Sequence, residues 1–230
     1  MKPFQVVKDF EYAVAVYTGA PYVVAVNSCT NALFLCIKYH YMQMISGYTK
    51  PFIDPKTKLP TGYNSLTTEI EIPKRTYVSV PQQILHAGYG VKFRDEDWEG
   101  VYQLKPFPIW DAAKRFTSNM WSEGHYYINK CDGSLYMCTS HHWQKILGIQ
   151  QGGCILHNDP EFDKWARKAR FDGRTEGVAP KDDNVHIGWH MYMSPEIAAE
   201  GIVRLSHLPK DNPDRPTDDY PDLSKMGIFK

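Results

Sequence analysis

Hydrophobic positions along the first forty residues follow two different spacings. Apolar residues recur at helical spacing over residues 4–17, whereas Tyr22–Val26 is a short, valine-rich apolar run that predicts a buried strand. Gly19-Ala20-Pro21 separates the two segments. An apolar stretch over residues 32–41 predicts a second helix, and Ser28 stands where the N-cap of that helix would lie.

The rest of the chain continues to alternate between predicted strands and helices. Strands are predicted over residues 68–72, 91–93, 107–110, 135–139 and 153–157. Helices are predicted over residues 80–87, 160–170 and 194–208, the last with Pro195 in its first turn. Residues 46–67 are rich in Gly, Pro, Lys and Thr and are typical of an inserted loop, and the polar residues 209–230 predict an extended tail that packs on the body or on a neighbour.

This alternation predicts an α/β fold in which helices flank a mixed, largely parallel sheet. We expect one large domain over residues 1–208, followed by the tail over residues 209–230. Ligands of such sheets collect at the carboxyl ends of the strands. Polar residues that directly follow a predicted strand are therefore the first candidates for function.

Composition and charge narrow the classes of protein that remain. Of the 230 residues, 26 are basic and 26 acidic, so no broad basic face for nucleic acid is indicated, although a local patch stays open. The five cysteines include no CxxC pair, and their odd number favours reduced thiols. The chain has no apolar signal core at its start and no apolar run near the roughly 20 residues that cross a bilayer. We expect a cytoplasmic protein without a membrane partner.

The first candidate segment is Asn27-Ser28-Cys29-Thr30, which lies between a predicted strand and a predicted helix. Backbone N–H groups at a helix N-terminus, together with the Ser and Thr hydroxyls, can bind an anion such as a phosphate. An ordinary helix cap at Ser28 explains the same residues.

The second candidate segment is Asp111-Ala112-Ala113, which directly follows the predicted apolar strand over residues 107–110. A carboxylate there could pair with a pyridinium nitrogen and keep it protonated, which makes the ring an electron sink. The two small residues would let a flat ligand approach closely. A helix N-cap is again the alternative interpretation.

The third candidate segment places Ser140 five residues before Lys145. The hydroxyl could bind a phosphate while the amine, made nucleophilic by desolvation or nearby cations, attacks an aldehyde. A lone lysine is ordinarily a solvated surface charge. The adjacent His141 and His142 would point apart on a strand, and no third ligand stands at a recognisable spacing, so no metal site is predicted.

Taken in order, six segments resemble the DegT/DnrJ/StrS family of aminotransferases, which use pyridoxal 5'-phosphate (PLP) and act on nucleotide-linked sugars. The resemblance runs from about Lys8 to Leu208 and includes a Ser-x-His-x-x-Lys motif. It implies the large domain of a fold-type I PLP transferase. The six segments are residues 10–33, 72–88, 111–113, 140–145, 152–159 and 188–199.

The resemblance also implies a role for each matching residue. Lys145 would hold PLP as a Schiff base and move protons, Asp111 would pair with the pyridine nitrogen, and Tyr77 would stack on the ring. His190 stands where the family usually has an Asn that reaches the phosphate of a neighbouring subunit, which implies a homodimer with a shared site. The other expected cofactor-binding residues are Ser28, Cys29, Thr30, Lys114, Ser140 and His142.

Several departures from the family pattern affect what is expected of the site. Cys29 replaces the usual Gly of the phosphate turn, and Lys114 stands where the family usually has Gln or His near the PLP hydroxyl. The family's N-terminal arm is nearly absent, and its C-terminal small domain is missing after about Leu208. The short length is similar to that of virus-encoded members of the family. A virus-encoded protein of this kind would act in the host cytoplasm. We expect a more open site.

Three functions follow from the sequence. The first is transfer of an amino group from a donor such as glutamate to a keto group on a nucleotide-linked sugar; Lys145 favours it, because sugar dehydratases of the same family replace that lysine with His. The second is a PLP-dependent decarboxylase or rearranging enzyme that acts on an amino-acid adduct of a modified nucleotide or DNA base, which the open site and Lys114 motivate. The third is a non-catalytic binding protein that retains the fold.

Overall fold

The computed structural model describes residues 4–45, 69–123, 133–217 and 220–229. The predicted loop over residues 46–67 lies outside them, as does Cys131. The described helices are α1 (Gln5–Thr18), α2 (Cys29–Ile45), α3 (Ser79–His86), α4 (Met120–Glu123), α5 (Pro160–Ala169) and α6 (Pro195–Ser206). The described strands are β1 (Tyr22–Val26), β2 (Glu69–Pro73), β3 (Gly90–Arg94), β4 (Tyr102–Leu104), β5 (Ile109–Ala112), β6 (Tyr136–Ser140) and β7 (Gly153–His157).

The central sheet has the strand order β1-β7-β6-β5-β4. Strand β7 runs antiparallel to both β1 and β6, β6 is parallel to β5, and β5 is antiparallel to β4. The parallel pair β2-β3 joins this sheet where the backbones of Glu71 and Lys105 exchange hydrogen bonds of 2.9 and 3.0 Å. All described strands except β4 and β7 therefore point the same way, which confirms the predicted mixed, mostly parallel α/β sheet.

The region between β3 and β5 differs from its predicted structure. The strand predicted over residues 107–110 lies at Ile109–Ala112, and Phe107 and Pro108 belong to the turn of a β4-β5 hairpin. Phe107 is buried in the core, so its hydrophobicity resembles that of a strand residue although it lies in a turn. Strand β4 is missing from the prediction because it has only three residues, with the polar Gln103 in the middle.

Both faces of the sheet are covered by apolar side chains. Along β1, Val24 and Val26 belong to a core that includes α2, whereas Val23 and Ala25 belong to a second core that includes α1 and α6. Strands buried on both faces have near-continuous apolar sequences. This explains why Tyr22–Val26 and Gly153–His157 are apolar runs whose bounds were predicted correctly. No helix of the described residues is long and apolar enough to span a bilayer.

The free edge of β1 is closed by a buried cluster of charged side chains. The N–H of Ala25 donates to Glu11 Oε1 at 2.9 Å, and the carbonyl of the same residue accepts from the Arg170 guanidinium. Arg170 also pairs directly with Glu11, and both side chains are almost completely buried. Arg167 donates to Val23 O at 3.0 Å. Side chains from α1, α5 and the residue after α5 thus satisfy backbone groups that would otherwise form an open sheet edge.

The described residues of the tail pack along the side of the sheet that carries β4 and β2. The Arg115 guanidinium binds the carboxylate of Asp214, and the N–H of Arg215 donates to Lys114 O at 2.9 Å. Farther on, the N–H of the buried Leu223 donates to Lys74 O at 2.9 Å. The tail therefore runs from the end of α6 past the segment that follows β5 to the end of β2.

We expect Glu11→Gln to lower the free energy of unfolding by about 3 kcal/mol, because it leaves the buried Arg170 charge without its nearest counter-ion. Urea denaturation followed by circular dichroism measures the change. Glu161→Gln is the control, since its pair with Lys164 is exposed and should leave stability almost unchanged. Equal stability of Glu11→Gln and Glu161→Gln would show that the Glu11–Arg170 pair does not hold the edge of β1.

Candidate functional site

The three candidate segments meet at one edge of the sheet. In the strand register, Val26 lies opposite Gly153, which in turn lies opposite Ser140. On the other side of β6, Ala112 lies opposite Thr139. The carboxyl ends of β1, β6 and β5 therefore lie at the same edge of the sheet. The residues that follow these strands converge there, as expected of ligand sites in sheets of this kind.

The N-terminus of α2 begins directly after β1 at this edge. Ser28 Oγ accepts the N–H of Asn31 at 3.1 Å, so Ser28 is an N-cap, which is the ordinary interpretation that the sequence had left open. The N–H groups of Cys29 and Thr30 belong to the first helical turn, which has no acceptors within its own helix. The end of a 17-residue helix also carries a partial positive charge. An anion can bind here through backbone N–H groups while Ser28 keeps its capping role.

Gly153 lets α2 approach the sheet this closely. A Cβ at position 153 would lie 2.6 Å from Cys29 N, 2.7 Å from Thr139 O and 2.8 Å from the carbonyl carbon of Ser28. All three are backbone atoms, so none can move aside as a side chain would. Position 153 therefore requires glycine because there is no room for a side chain between α2 and the sheet.

Asp111 is buried, and both of its carboxylate oxygens accept hydrogen bonds. Oδ1 accepts from the N–H of Ala113 at 2.8 Å, and Oδ2 accepts from the Tyr102 hydroxyl at 2.8 Å. Desolvation raises the pKa of Asp111, while these two hydrogen bonds and the positive charges of Lys145 and Lys114 lower it. No helix begins at Asp111, so the helix N-cap interpretation is wrong.

Two lysines act on this buried carboxylate. Lys145 lies in the turn after β6, is partly buried, and its N–H donates to His142 O at 2.7 Å. Lys114 is only 7% exposed, and its Nζ lies 4.6 Å from the centre of the Tyr220 ring in the tail. The two lysines predicted for the site are therefore both within electrostatic reach of Asp111.

Tyr77 and Thr30 lie where the N-termini of two helices come together. Tyr77, two residues before α3, is 56% exposed, so its ring is available to a ligand. Thr30 Oγ1 is hydrogen-bonded to Ser79 Oγ at 2.8 Å, which ties the first turn of α2 to that of α3. The Thr30 hydroxyl, which belongs to the predicted phosphate turn, thus links two helices.

The residues around Ser140 have contrasting environments. Ser140 ends β6 and is nearly buried, and His141 is completely buried against the rings of Phe10 and Phe116. Burial lowers the pKa of His141 to about 3, so this side chain is neutral at physiological pH. His142 is partly exposed. The adjacent histidines thus point apart, and the described residues contain no group of three or more metal-binding side chains.

His190 lies on the surface beside the end of β1. Its side chain is 72% exposed, and its Nδ1 lies 3.2 Å from Asp172 Oδ2. The segment is fixed by its neighbours, because the N–H of Asn27 donates to Met191 O at 2.9 Å and Val26 pairs with Tyr192. His190 is thus next to the phosphate turn in the fold, with most of its imidazole facing away from the protein's own core.

Tyr102 and Thr76 complete the surroundings of Asp111 and are absent from the sequence-based set of site residues. Both are buried, and Thr76 Oγ1 lies 2.7 Å from the Tyr102 hydroxyl oxygen. No local motif marks either residue. Only the pairing of β4 with β5, in which Tyr102 lies opposite Asp111, identifies them.

Comparison with known proteins agrees with the resemblance seen in the sequence. The family described as "DegT/DnrJ/EryC1/StrS aminotransferase family" matches residues 2–49, which include α1, β1, the Ser28–Thr30 turn and α2. No curated protein matches the sequence.

Solved structures of similar fold extend the comparison to most of the chain. They include the sugar aminotransferase CalS13 from Micromonospora echinospora, with 17% identity, a TM-score of 0.61, and coverage of 88% of this chain and 60% of that one. A DegT DnrJ EryC1 StrS aminotransferase from Brucella abortus has 19% identity, a TM-score of 0.57, and coverage of 88% and 58%. A mutant of GDP-4-keto-6-deoxymannose-3-dehydratase with bound GDP-perosamine has 19% identity, a TM-score of 0.60, and coverage of 89% and 61%.

These likenesses show that the chain has the fold of the PLP-dependent aminotransferases and spans about 60% of the length of such proteins. The presence of a dehydratase among them shows that one fold serves more than one reaction. The residues at the sheet edge therefore determine which of these reactions the chain can support.

We expect Gly153→Ala to lower the free energy of unfolding by about 1–3 kcal/mol, because the new methyl group forces α2 away from the sheet. Urea denaturation measures the loss. Gly227→Ala is the matched control, since a Cβ there has no neighbour within 4 Å, and it should leave stability nearly unchanged. A Gly153→Ala protein as stable as Gly227→Ala would contradict the close seating of α2.

Proposed function

We propose that this chain is a PLP-dependent aminotransferase that moves an amino group from an amino-acid donor, with glutamate as the first candidate, to a keto group on a nucleotide-linked sugar. The observation that supports it best is the meeting of three groups at one sheet edge. These are the N-terminus of α2, the buried carboxylate of Asp111, and the amine-bearing turn of Lys145. The helix N-terminus could bind a phosphate, the carboxylate a pyridine nitrogen, and the amine an aldehyde.

The residues at this edge fit the cofactor group by group. The N–H groups of Cys29 and Thr30 suit the phosphate, and the hydroxyls of Ser28 and Ser140 lie at the ends of the strands beside them. The exposed ring of Tyr77 offers a stacking surface. His142, in the same turn as Lys145, and Lys114, beside Asp111, complete the proposed set.

PLP, when bound, supplies an electron sink for bonds to the amino-acid α-carbon. Asp111 serves that chemistry by holding a proton on the ring nitrogen, which requires the carboxylate to be ionised despite its burial. The N–H of Ala113 and the hydroxyl of Tyr102 favour the ionised form. Lys145 would bind the cofactor and would hold or move a proton at the substrate carbon.

Two observations favour amino transfer over the alternatives. Lys145 is retained at the position where sugar dehydratases of the family have His, and a lysine can return a proton to the carbon that receives the amino group. CalS13, whose structure is similar, is a sugar aminotransferase. A sugar acceptor is accordingly the first one to test.

A second subunit fits the position of His190. Its backbone neighbour Met191 binds Asn27 beside the phosphate turn, whereas its imidazole lies against Asp172 and is 72% exposed, so it is available to another protomer. We therefore extend the proposal to a homodimer in which His190 reaches the cofactor phosphate of the partner.

We expect borohydride reduction of the PLP-treated protein to attach the cofactor to Lys145, because only a covalent imine bond is trapped in this way. Mass spectrometry of the digested protein locates the modified lysine. Lys145→Ala should abolish the trapped product, whereas Lys114→Ala and the exposed control Lys225→Ala should retain it at Lys145. Attachment at Lys114, or none at all, would contradict the proposed site.

The proposed reaction is tested by incubating the PLP-loaded protein with glutamate and a nucleotide-linked keto sugar. We expect 2-oxoglutarate and an amino sugar in equal amounts, measured by chromatography with mass detection, and neither with Lys145→Ala. Release of CO2 from an amino-acid substrate without 2-oxoglutarate would favour the decarboxylase alternative instead.

A further inference from the structure

We propose that Tyr102 is a positioning residue of this site: its hydroxyl, supported by that of Thr76, fixes the carboxylate of Asp111 for the cofactor ring nitrogen. This inference rests on the proposed function. It assigns a role to a residue of the β4-β5 hairpin that no sequence motif marks. The evidence is a continuous chain of hydrogen bonds in the interior of the protein.

The hairpin places Tyr102 and Asp111 opposite each other. In the antiparallel register of β4 and β5, the two residues are direct partners, so their side chains lie on the same face of the sheet. The Tyr102 hydroxyl donates to Asp111 Oδ2 at 2.8 Å, and both side chains are buried. Water therefore competes little for this hydrogen bond.

The direction of the hydrogen bonds follows from the donors available. A tyrosine hydroxyl has one hydrogen, and an ionised carboxylate can only accept. Because the hydrogen of Tyr102 goes to Asp111, the Thr76 hydroxyl, 2.7 Å away, must donate to the Tyr102 oxygen. Desolvation, followed by the charge of Asp111, raises the pKa of Tyr102 well above its ordinary value, so the tyrosine stays protonated and keeps donating.

The two carboxylate oxygens of Asp111 are held from different directions. The backbone N–H of Ala113 binds Oδ1 while Tyr102 binds Oδ2, so rotation of the carboxylate is restrained. Oδ1 also lies 4.0 Å from Cys29 Sγ, whereas Oδ2 keeps a second lone pair that can accept from a protonated ring nitrogen. Besides Tyr102 on β4, the titratable groups that act on Asp111 are Cys29 of α2, Lys114 after β5 and Lys145 after β6.

The same chain of hydrogen bonds reaches the residue proposed to stack on the ring. Thr76 directly precedes Tyr77, and its hydroxyl ties that loop to Tyr102. The Trp98 ring packs edge-on against Tyr102 at 4.6 Å between centres, and Trp98 Nε1 donates to Arg75 O at 2.8 Å. Tyr102 thus couples the position of the Asp111 carboxylate to the position of the loop that carries Tyr77.

Tyr102→Phe tests the inference, and Tyr136→Phe is its matched control. Tyr136 is another buried tyrosine whose hydroxyl donates to a carboxylate, Asp159 Oδ2 at 2.6 Å, at the end of β6 away from Ser140. We expect Tyr102→Phe to weaken PLP binding about 10-fold or more, since it removes a hydrogen bond to a charged group. It should also shift the pH dependence of the bound cofactor's visible absorption. Tyr136→Phe should change neither.

A second measurement uses the protein without cofactor. We expect carbon-detected NMR titration to give a higher pKa for the Asp111 carboxyl in Tyr102→Phe than in the wild type, because the hydroxyl favours the ionised form. Thr76→Val should give a smaller change in the same direction. These variants show the effect on the carboxylate itself, separately from any loss of stability.

The outcomes separate this inference from the proposed function. Wild-type protein that fails to bind PLP overturns the proposed function and the positioning role with it. Wild-type protein that binds PLP, with Tyr102→Phe indistinguishable from Tyr136→Phe, overturns the positioning role alone. An unchanged Asp111 pKa in Tyr102→Phe does the same. Selective loss of affinity together with a raised Asp111 pKa supports the inference.

Discussion

The buried ion pair between Glu11 and Arg170 is the interaction on which the position of the candidate site depends. It closes the free edge of β1 by bonding both backbone groups of Ala25, and it fixes α1 and the end of α5 to that strand. Strand β1 leads directly into the N-cap at Ser28, so any displacement of the strand would displace the first turn of α2. A structural ion pair on one side of β1 thereby sets the geometry of the first turn of α2, where we propose that the phosphate binds.

Two buried carboxylates in this fold have different hydrogen-bond partners, and the difference agrees with the role proposed for Asp111. Glu11 is bound by the guanidinium groups of Arg170 and Arg167, which match its charge in direct contact. Asp111 accepts hydrogen bonds from two neutral donors, the Tyr102 hydroxyl and the Ala113 N–H. Neutral donors stabilise a carboxylate without neutralising its charge, so Asp111 can still attract the cationic ring nitrogen of the proposed cofactor, whereas the charge of Glu11 is already matched by the two arginines.

The sequence predicted local structure well where buried positions give a clear run or spacing of apolar residues. Tyr22–Val26 and Gly153–His157 were found because both strands are apolar on both faces and bounded by small or polar residues. The strand-end positions of Asp111 and Ser140 followed from the same reasoning. Tyr102 could not be found in this way, because its place beside Asp111 depends on a hairpin whose first strand has three residues. Ser28 was predicted as an N-cap, and its hydrogen bond to the N–H of Asn31 confirms this. The link from Thr30 to α3 could not be predicted, because the sequence does not show which partner a hydroxyl binds.

The described tail has a consequence for how the site is reached. It meets the body through backbone and side-chain contacts along its length, among them the Asp214 carboxylate on Arg115, the Tyr220 ring on Lys114 and the buried Leu223. Because this segment adds no strand to the described sheet, we expect it to open locally at a lower free energy than the sheet on which it lies. Exchange of bound molecules near Lys114 can then proceed by brief detachment of this one segment, while the strands, the helices and the carboxylate of Asp111 stay in place.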